Sequence, residues 1–290
     1  MYDQITPVVK KYDEALNEAN KKNYGLSIQL GADGFSFCIY YKQSQKFMGY
    51  ESVIFKQPVS GDKLASFFVA IQKEHPWLNG EYQSVMVFFE PEKTTLIPNP
   101  LFDPDEKELI ARFNFTIPDH HNIRHEPVES LDASILYPFP DNLEKILSEI
   151  YPGVIIKSHL GAMTEILLIS TKNLPVAKRI YVNVRSAYLD LIILEGKKLL
   201  FCNSFGYRSK QDFIYFIIFV MEQLNINPEE IELIFSGKID KKSDLFDIAY
   251  KYVRHIDFQP LPDNYSFSYV FNEIPAHMFF GLIHSPLCGL

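Results

Sequence analysis

The sequence predicts a duplicated α/β protein of two lobes, with mixed central sheets and flanking helices. Two observations carry that prediction. The stretch Gly25 to Tyr40, GLSIQLGADGFSFCIY, alternates apolar with small or polar residues on both sides of a bend at Gly31 to Asp33-Gly34, and an altered copy returns at Arg179 to Leu194, RIYVNVRSAYLDLIIL. Behind each copy the elements follow in one order (strand, strand, strand, helix, strand, helix), with equivalent positions ~150 residues apart, the self-similarity expected of an internal duplication.

The elements follow in turn. Residues 1–22 form a polar lead-in, strand or helix, and order begins at Tyr24. After the first hairpin comes a strand at Phe47 to Lys56, then a helix capped by Ser60-Gly-Asp62, whose Leu64, Phe67, Phe68 and Ile71 fall on one stripe. Ser84 to Glu90 reads as a buried strand. Asp103-Pro104-Asp105-Glu106 opens a helix through Leu109, Ile110 and Phe113. Pro118 to Pro127 reads as a proline-bounded peripheral loop, followed by a strand at Ala133 to Tyr137. Asp141 and Glu144 form a capping-box pattern for a helix through Leu143, Ile146, Leu147 and Ile150. A strand at Val154 to Lys157 and an apolar helix over Ala162 to Ile169 close the first half, and the expected domains are residues 1–155 and 156–290.

In the second half the strands are 179–185, 188–194 and 199–205, and Ser209 with Asp212 caps a helix with Phe213, Phe216, Ile217, Val220 and Leu224 on one face. That helix is apolar on more than one face, so it sits between layers or at a partner contact. Ile231 to Ser236 matches the strand at 84–90, and a helix through Leu245, Ile248, Ala249, Tyr252 and Val253 matches the one at 104–113. Helical spacing at Met278, Phe279 and Leu282 places a C-terminal helix within Ile274 to His284.

Composition excludes several function classes. A net charge of −8 leaves no basic field to gather phosphate backbones, so no nucleic-acid partner is expected. The longest apolar run, Phe213 to Met221, is about half a membrane crossing, so no membrane insertion is expected. The first residues lack a secretory pattern, and the expected location is cytoplasmic. Cys38, Cys202 and Cys288 are far apart and unpaired in pattern, which suits buried reduced thiols. Asp119, His120, His121, His125 and Glu126 supply metal-ligand types without a ligand spacing, so no metal site is assigned. The aromatic load, 24 Phe and 17 Tyr, reads as core.

Two halves that each open on a hairpin with glycine at the bend resemble the actin-like ATPase superfamily, which has the ribonuclease-H-like architecture and includes actin, sugar kinases and Hsp70 chaperones. More narrowly, Leu26 to Ile39, Thr94 to Pro98 with Leu101-Phe102, and Tyr181 to Phe205 resemble a Bacteroidetes family of that fold with no established activity. The resemblance implies that the C-terminal stretch returns to the first lobe and that the two hairpins face each other across a cleft. It also implies an Asp-x-Gly pattern at each hairpin, where backbone N–H groups meet phosphates and aspartates hold Mg²⁺. In this chain those positions read Gln29 and Gly31, then Asn183 and Arg185. Two amides cannot supply the negative charge of a magnesium site, and Arg185 puts a long side chain where phosphate would approach.

The adenosine-side glycine pair survives only as Ser236-Gly237-Lys238, and no phosphate-loop spacing precedes Gly237. Asp33 before Gly34 is chiefly turn chemistry, with reach to a metal or a phosphate-bound water. Arg185, beside Ser186, either binds an anion directly or closes a salt bridge in the cleft. The expected function is a non-catalytic or weakly nucleotide-binding scaffold or regulator with a protein partner and no obligatory cofactor, ATP and Mg²⁺ binding weakly at most. The alternative is an ATP-binding protein that uses Asp33, Arg185 and Lys238 in place of the lost pattern. A third reading, a metal-dependent nuclease, lacks carboxylates at Gln29 and Asn183.

Overall fold

A computed structural model describes residues 5–59, 61–262 and 265–283 of the chain. Strands β1 (Ile5–Tyr12), β2 (Tyr24–Gly31), β3 (Gly34–Tyr41) and β4 (Lys46–Phe55) are followed by helix α1 (Gly61–Glu74) and strand β5 (Ser84–Glu90). Then come β6 (Thr95–Pro98), α2 (Lys107–Asn114), β7 (His121–Val128), β8 (Ala133–Pro140), α3 (Asp141–Ile150), β9 (Ile155–Ser158) and α4 (His159–Ser170). The second half holds β10 (Lys178–Val184), β11 (Tyr188–Glu195), β12 (Lys198–Gly206), α5 (Lys210–Gln223), β13 (Glu232–Gly237), α6 (Asp244–Tyr250), β14 (His255–Phe258) and the two-residue β15 (Ser266–Phe267).

Two mixed sheets result. The first runs β1-β4-β3-β2-β5-β9, with β15 on β4; the second runs β12-β11-β10-β13-β14. Leaving β1 aside, three antiparallel strands lead each sheet and parallel strands complete it, so β4-β3-β2-β5-β9 corresponds to β12-β11-β10-β13-β14. Helix α1 packs on α3 as α5 packs on α6. Each outer helical pair buries its stripe on its own sheet: Leu64, Phe68 and Leu147 in the first lobe, Phe213, Ile217 and Val220 in the second. Between the sheets lies a third core. There α4, apolar all round and buried over nearly its whole length, meets Tyr40 and Phe88 of one sheet and Tyr181 and Ile192 of the other.

Several expectations change, beginning with the start of order, since β1 already pairs with β4 ahead of Tyr24. The counterpart of α6 is α3 rather than the helix at 104–113, because α3 and α6 each lead into the last parallel strand of a sheet. The earlier segment shortens to a 3₁₀ turn and α2, which belong to an inserted layer built on the small sheet β6-β8-β7. The proline-bounded loop at 118–127 is in fact mostly β7, whose partner is the fully buried β8. The capping box at Asp141 does not form: α3 starts at Asp141 behind Pro140 with no side-chain cap, and Glu144 instead takes hydrogen bonds from Asn122 and Arg124.

The C-terminal helix is replaced by 3₁₀ turns at Tyr269–Glu273 and Ala276–Met278, with Pro275 just ahead of the second. This stretch lies on the first sheet, where Ser27 Oγ donates to the Leu282 carbonyl at 3.0 Å and the Phe279 ring packs 5.6 Å from Tyr50. The chain leaves the first sheet only after Ser158, so the expected boundary at 155/156 falls at the start of β9. Ser60, His284 and Cys288 lie outside the described residues.

Candidate functional site

The ends of β2 and β10 meet where the two hairpin bends face each other, and β5 and β13 bring in the residues beside them. Antiparallel β2 and β3 close their bend with Gly31 opposite Gly34, and β10 and β11 open theirs after Asn183 opposite Asp190. Gln29, Gly34, Asn183, Arg185, Gly237 and Lys238 line one cavity of about 250 Å³. That is just below the span of about 300–1,000 Å³ that small-molecule sites take.

At the first bend the backbone geometry survives. Gly34 has φ +156, and a Cβ there would run into the Val53 carbonyl oxygen, so only glycine fits. The space in front of Gly31 is taken, however: the buried Glu90 carboxylate lies 2.5 Å from where its Cβ would be. Gln29 Nε2 donates to the same carboxylate, and Gly281 of the C-terminal stretch packs against the Gln29 amide. The Glu90 carboxylate therefore fills the space in front of the first bend.

The second bend is held by charge. Asp190 is 1% exposed, and its carboxylate accepts from Arg185 at 3.1 Å, Asn183 Nδ2 at 2.9 Å and Ser204 Oγ at 2.6 Å, with His159 Nε2 3.2 Å away. Burial pushes this carboxyl up, but the Arg185 guanidinium and these hydrogen bonds outweigh it and hold Asp190 well below the usual carboxylate range. Arg185 is itself buried; it also donates to the Pro91 carbonyl and lies 4.9 Å over the Tyr188 ring, while its own carbonyl accepts from Tyr207. Of the two roles open to Arg185, the structure shows the salt bridge.

Ser236 Oγ donates to Asn183 Oδ1, and Gly237, with φ +81, lets Lys238 N–H reach the Val184 carbonyl at 2.7 Å. Asp33 closes the cleft from the first lobe: it accepts from the Ser186 amide at 2.8 Å and from Lys238 Nζ at 3.2 Å. Burial acts to raise the Asp33 carboxyl, but Lys238 and Ser186 together hold it below its ordinary value. Asp33, Ser186 and Lys238 therefore latch the two lobes directly. Gly31 stands apart, facing Glu90.

Glu90, His159, Asp190 and Gly281 complete the site, and residue-by-residue reading missed all four. Asp190 had a signal: a lone acid inside the apolar run Tyr188 to Leu194 must be buried with a partner. The donor set does not fit Mg²⁺. Gln29 and Asn183 turn their amide N–H groups on carboxylates, and among the described residues no three His, Cys, Asp or Glu side chains converge to hold a metal ion.

Comparison with known proteins agrees with this architecture. The family model described as "Protein of unknown function (DUF3822)" matches residues 13–256. No curated protein matches the sequence. Among solved structures, a Bacteroides thetaiotaomicron protein with an actin-like ATPase fold and unknown function is 25% identical, with a TM-score of 0.73, covering 84% of this chain and 93% of that one. A PilM-PilN type IV pilus biogenesis complex is 12% identical with a TM-score of 0.57, covering 89% of this chain and 97% of that one, and it shares the fold. The architecture is the duplicated actin-like fold. Among the described residues no helix is long and apolar enough to cross a membrane.

Proposed function

We propose a function from one premise: this chain belongs to the DUF3822 family of proteins of unknown function, and its actin-like fold carries a cleft filled by its own side chains. It does not hydrolyse nucleotide, and it works as a scaffold or regulator through a protein partner. The observation that carries this reading is the second bend, where Arg185 and Asn183 are both spent on Asp190. Hydrolysis in this fold needs an anionic cleft residue to hold Mg²⁺ and orient water. Here the anions are already neutralised by internal donors. The Asp33–Lys238 contact supports the reading further, because a nucleotide would have to part the lobes and break it. Free thiols at Cys38 and Cys202 fit a reducing compartment, and we assign the chain to the cytoplasm on that ground.

Thermal unfolding with ATP or ADP, with and without Mg²⁺, tests this. A ligand at 100 times its dissociation constant stabilises the native state by about 2.7 kcal/mol, a shift that is easily read. No shift is expected at millimolar nucleotide. A magnesium-dependent rise would overturn the reading and favour ATP binding through Asp33, Arg185 and Lys238.

A further inference from the structure

We infer that the outer edge of β12 is where two copies of this chain join, strand to antiparallel strand about a two-fold axis, with the aromatic face of α5 packing beside the seam. The duplication itself exposes the vacancy. In the first sheet the outer edge of β4 is paired along its length, with β1 at Gly49 to Phe55 and with β15 at Lys46 and Phe47. Most of β4 is buried in consequence. Its counterpart β12 has no partner among the described residues on that edge, and each of its nine residues is half-buried or exposed.

The other sheet edges are blunted. β1 carries Pro7, a register shift and Lys10-Lys11, while β9 and β14 are four residues each. By contrast β12 is long, and Leu199 to Tyr207 contains no charge and no proline. An edge of this kind presents unpaired N–H and C=O groups that another strand can complete.

The aromatic rings identify the partner as a second copy. On one face of β12 the Phe201 and Phe205 rings stack at 6.1 Å, Phe205 stacks on Phe216 of α5 at 4.7 Å, and Phe216 leads to Tyr215 and on to Phe219. Tyr215 is 59% and Phe219 41% exposed, so a continuous aromatic path runs from the open edge onto the open helix. A two-fold axis perpendicular to the sheet keeps equivalent faces on one side, so pairing β12 with itself also sets α5 beside its equivalent. One operation thus covers both the strand edge and the rings. The pairing is not opposed by charge along the seam itself, because Lys198 at the start of β12 is the only charged residue of the strand. This contact is remote from the closed cleft and needs no nucleotide.

The test is sedimentation equilibrium of the full chain across the micromolar range, on wild type, on Tyr215→Lys with Phe219→Lys, and on Asn203→Lys, with hydrogen exchange of the β12 amides alongside. Wild type should dimerise, and its β12 amides should exchange more slowly as concentration rises. Replacing the two exposed rings should raise the dissociation constant at least about 30-fold while the monomer melts as before, and a lysine at position 203 should act in the same direction. A wild-type monomer whose β12 exchange is independent of concentration would overturn the inference and leave the edge to a different chain. So would a dimer that both variants leave intact. Added ATP changes none of these outcomes, so a failed closed-cleft reading and a failed dimer are told apart.

Discussion

At the first bend the chain turns through Ala32 and Asp33 between Gly31 and Gly34, and the space in front of the turn is filled by a neighbour, the Glu90 carboxylate from β5. At the second bend the glycine position itself has become Arg185, whose guanidinium reaches back along its own hairpin to Asp190. The comparison separates two ways of closing one site. Filling by a neighbouring side chain leaves the backbone turn unchanged, whereas a buried ion pair makes the hairpin depend on the pair for its stability. Damage at the second bend should therefore destabilise the fold far more than damage at the first.

The largest effect tests this contrast. Arg185→Met leaves Asp190 charged and buried without its counter-ion, and should cost about 3–5 kcal/mol in chemical denaturation. Gly31→Ala meets the Glu90 carboxylate at 2.5 Å and also the Glu90 Cβ at 3.0 Å, both side-chain atoms, and should cost about 1–2 kcal/mol. Equal costs would erase the distinction between the bends.

The pH dependence sharpens it next. Asp190 and Asp33 have folded pKa values below their unfolded ones, so their stabilisation is present above the unfolded value, about 3.9, and is lost as pH falls through the folded values. Asp190→Asn should flatten that acid limb more than Asp33→Asn does. Glu126 of β7 behaves oppositely: burial lifts its carboxyl to about 7, although the Ser158 amide donates to it. With the folded pKa above the unfolded one, the native state binds the extra proton, and stability falls between about pH 4.5 and pH 7. Glu126→Gln should stabilise at pH 8 by about 1–2 kcal/mol and change little at pH 4.

Smaller effects follow. Ser209→Ala removes the observed capping box of α5 and should cost about 1 kcal/mol, whereas Asp141→Ala at the uncapped α3 should cost less. Lys238→Ala breaks the latch to Asp33, but Lys238 is more than a third exposed and its pair is screened, so the loss should stay below about 1 kcal/mol.

Local pattern carried most of the fold. Alternation around Gly31-Gly34 and across Arg179 to Leu194 marked both hairpins, and Ser209 with Asp212 marked the start of α5, because each signal acts within a few residues. Sequence failed where distant pairing decides the outcome. β7, with polar His121, Asn122 and His125 and with Pro127, becomes a strand only because apolar β8 pairs with it. Likewise α2 carries Leu109 and Phe113 as a buried stripe would, yet the structure leaves them 65% and 92% exposed because the inserted layer turns that face outward. Within the cleft the missing Asp-x-Gly pattern was legible residue by residue, at Gln29, Asn183 and Arg185. Of what replaces it, Asp190 left a signal as a lone acid in an apolar strand, whereas Glu90 and Gly281 left none, since they reach the first bend from β5 and from the C-terminal stretch.

The most direct measurement is titration calorimetry with Mg²⁺-ATP, paired with a phosphate-release assay, on wild type, on Gln29→Asp with Asn183→Asp, and on that pair with Arg185→Gly. A cleft closed by its own side chains predicts no binding heat and no phosphate release from wild type. It also predicts a silent double variant, because the Asn183→Asp change would add a second carboxylate beside Asp190 while Arg185 still fills the second bend, and no binding by the triple variant either, because Glu90 still stands in front of Gly31. Magnesium-dependent hydrolysis by the wild type would contradict the account outright.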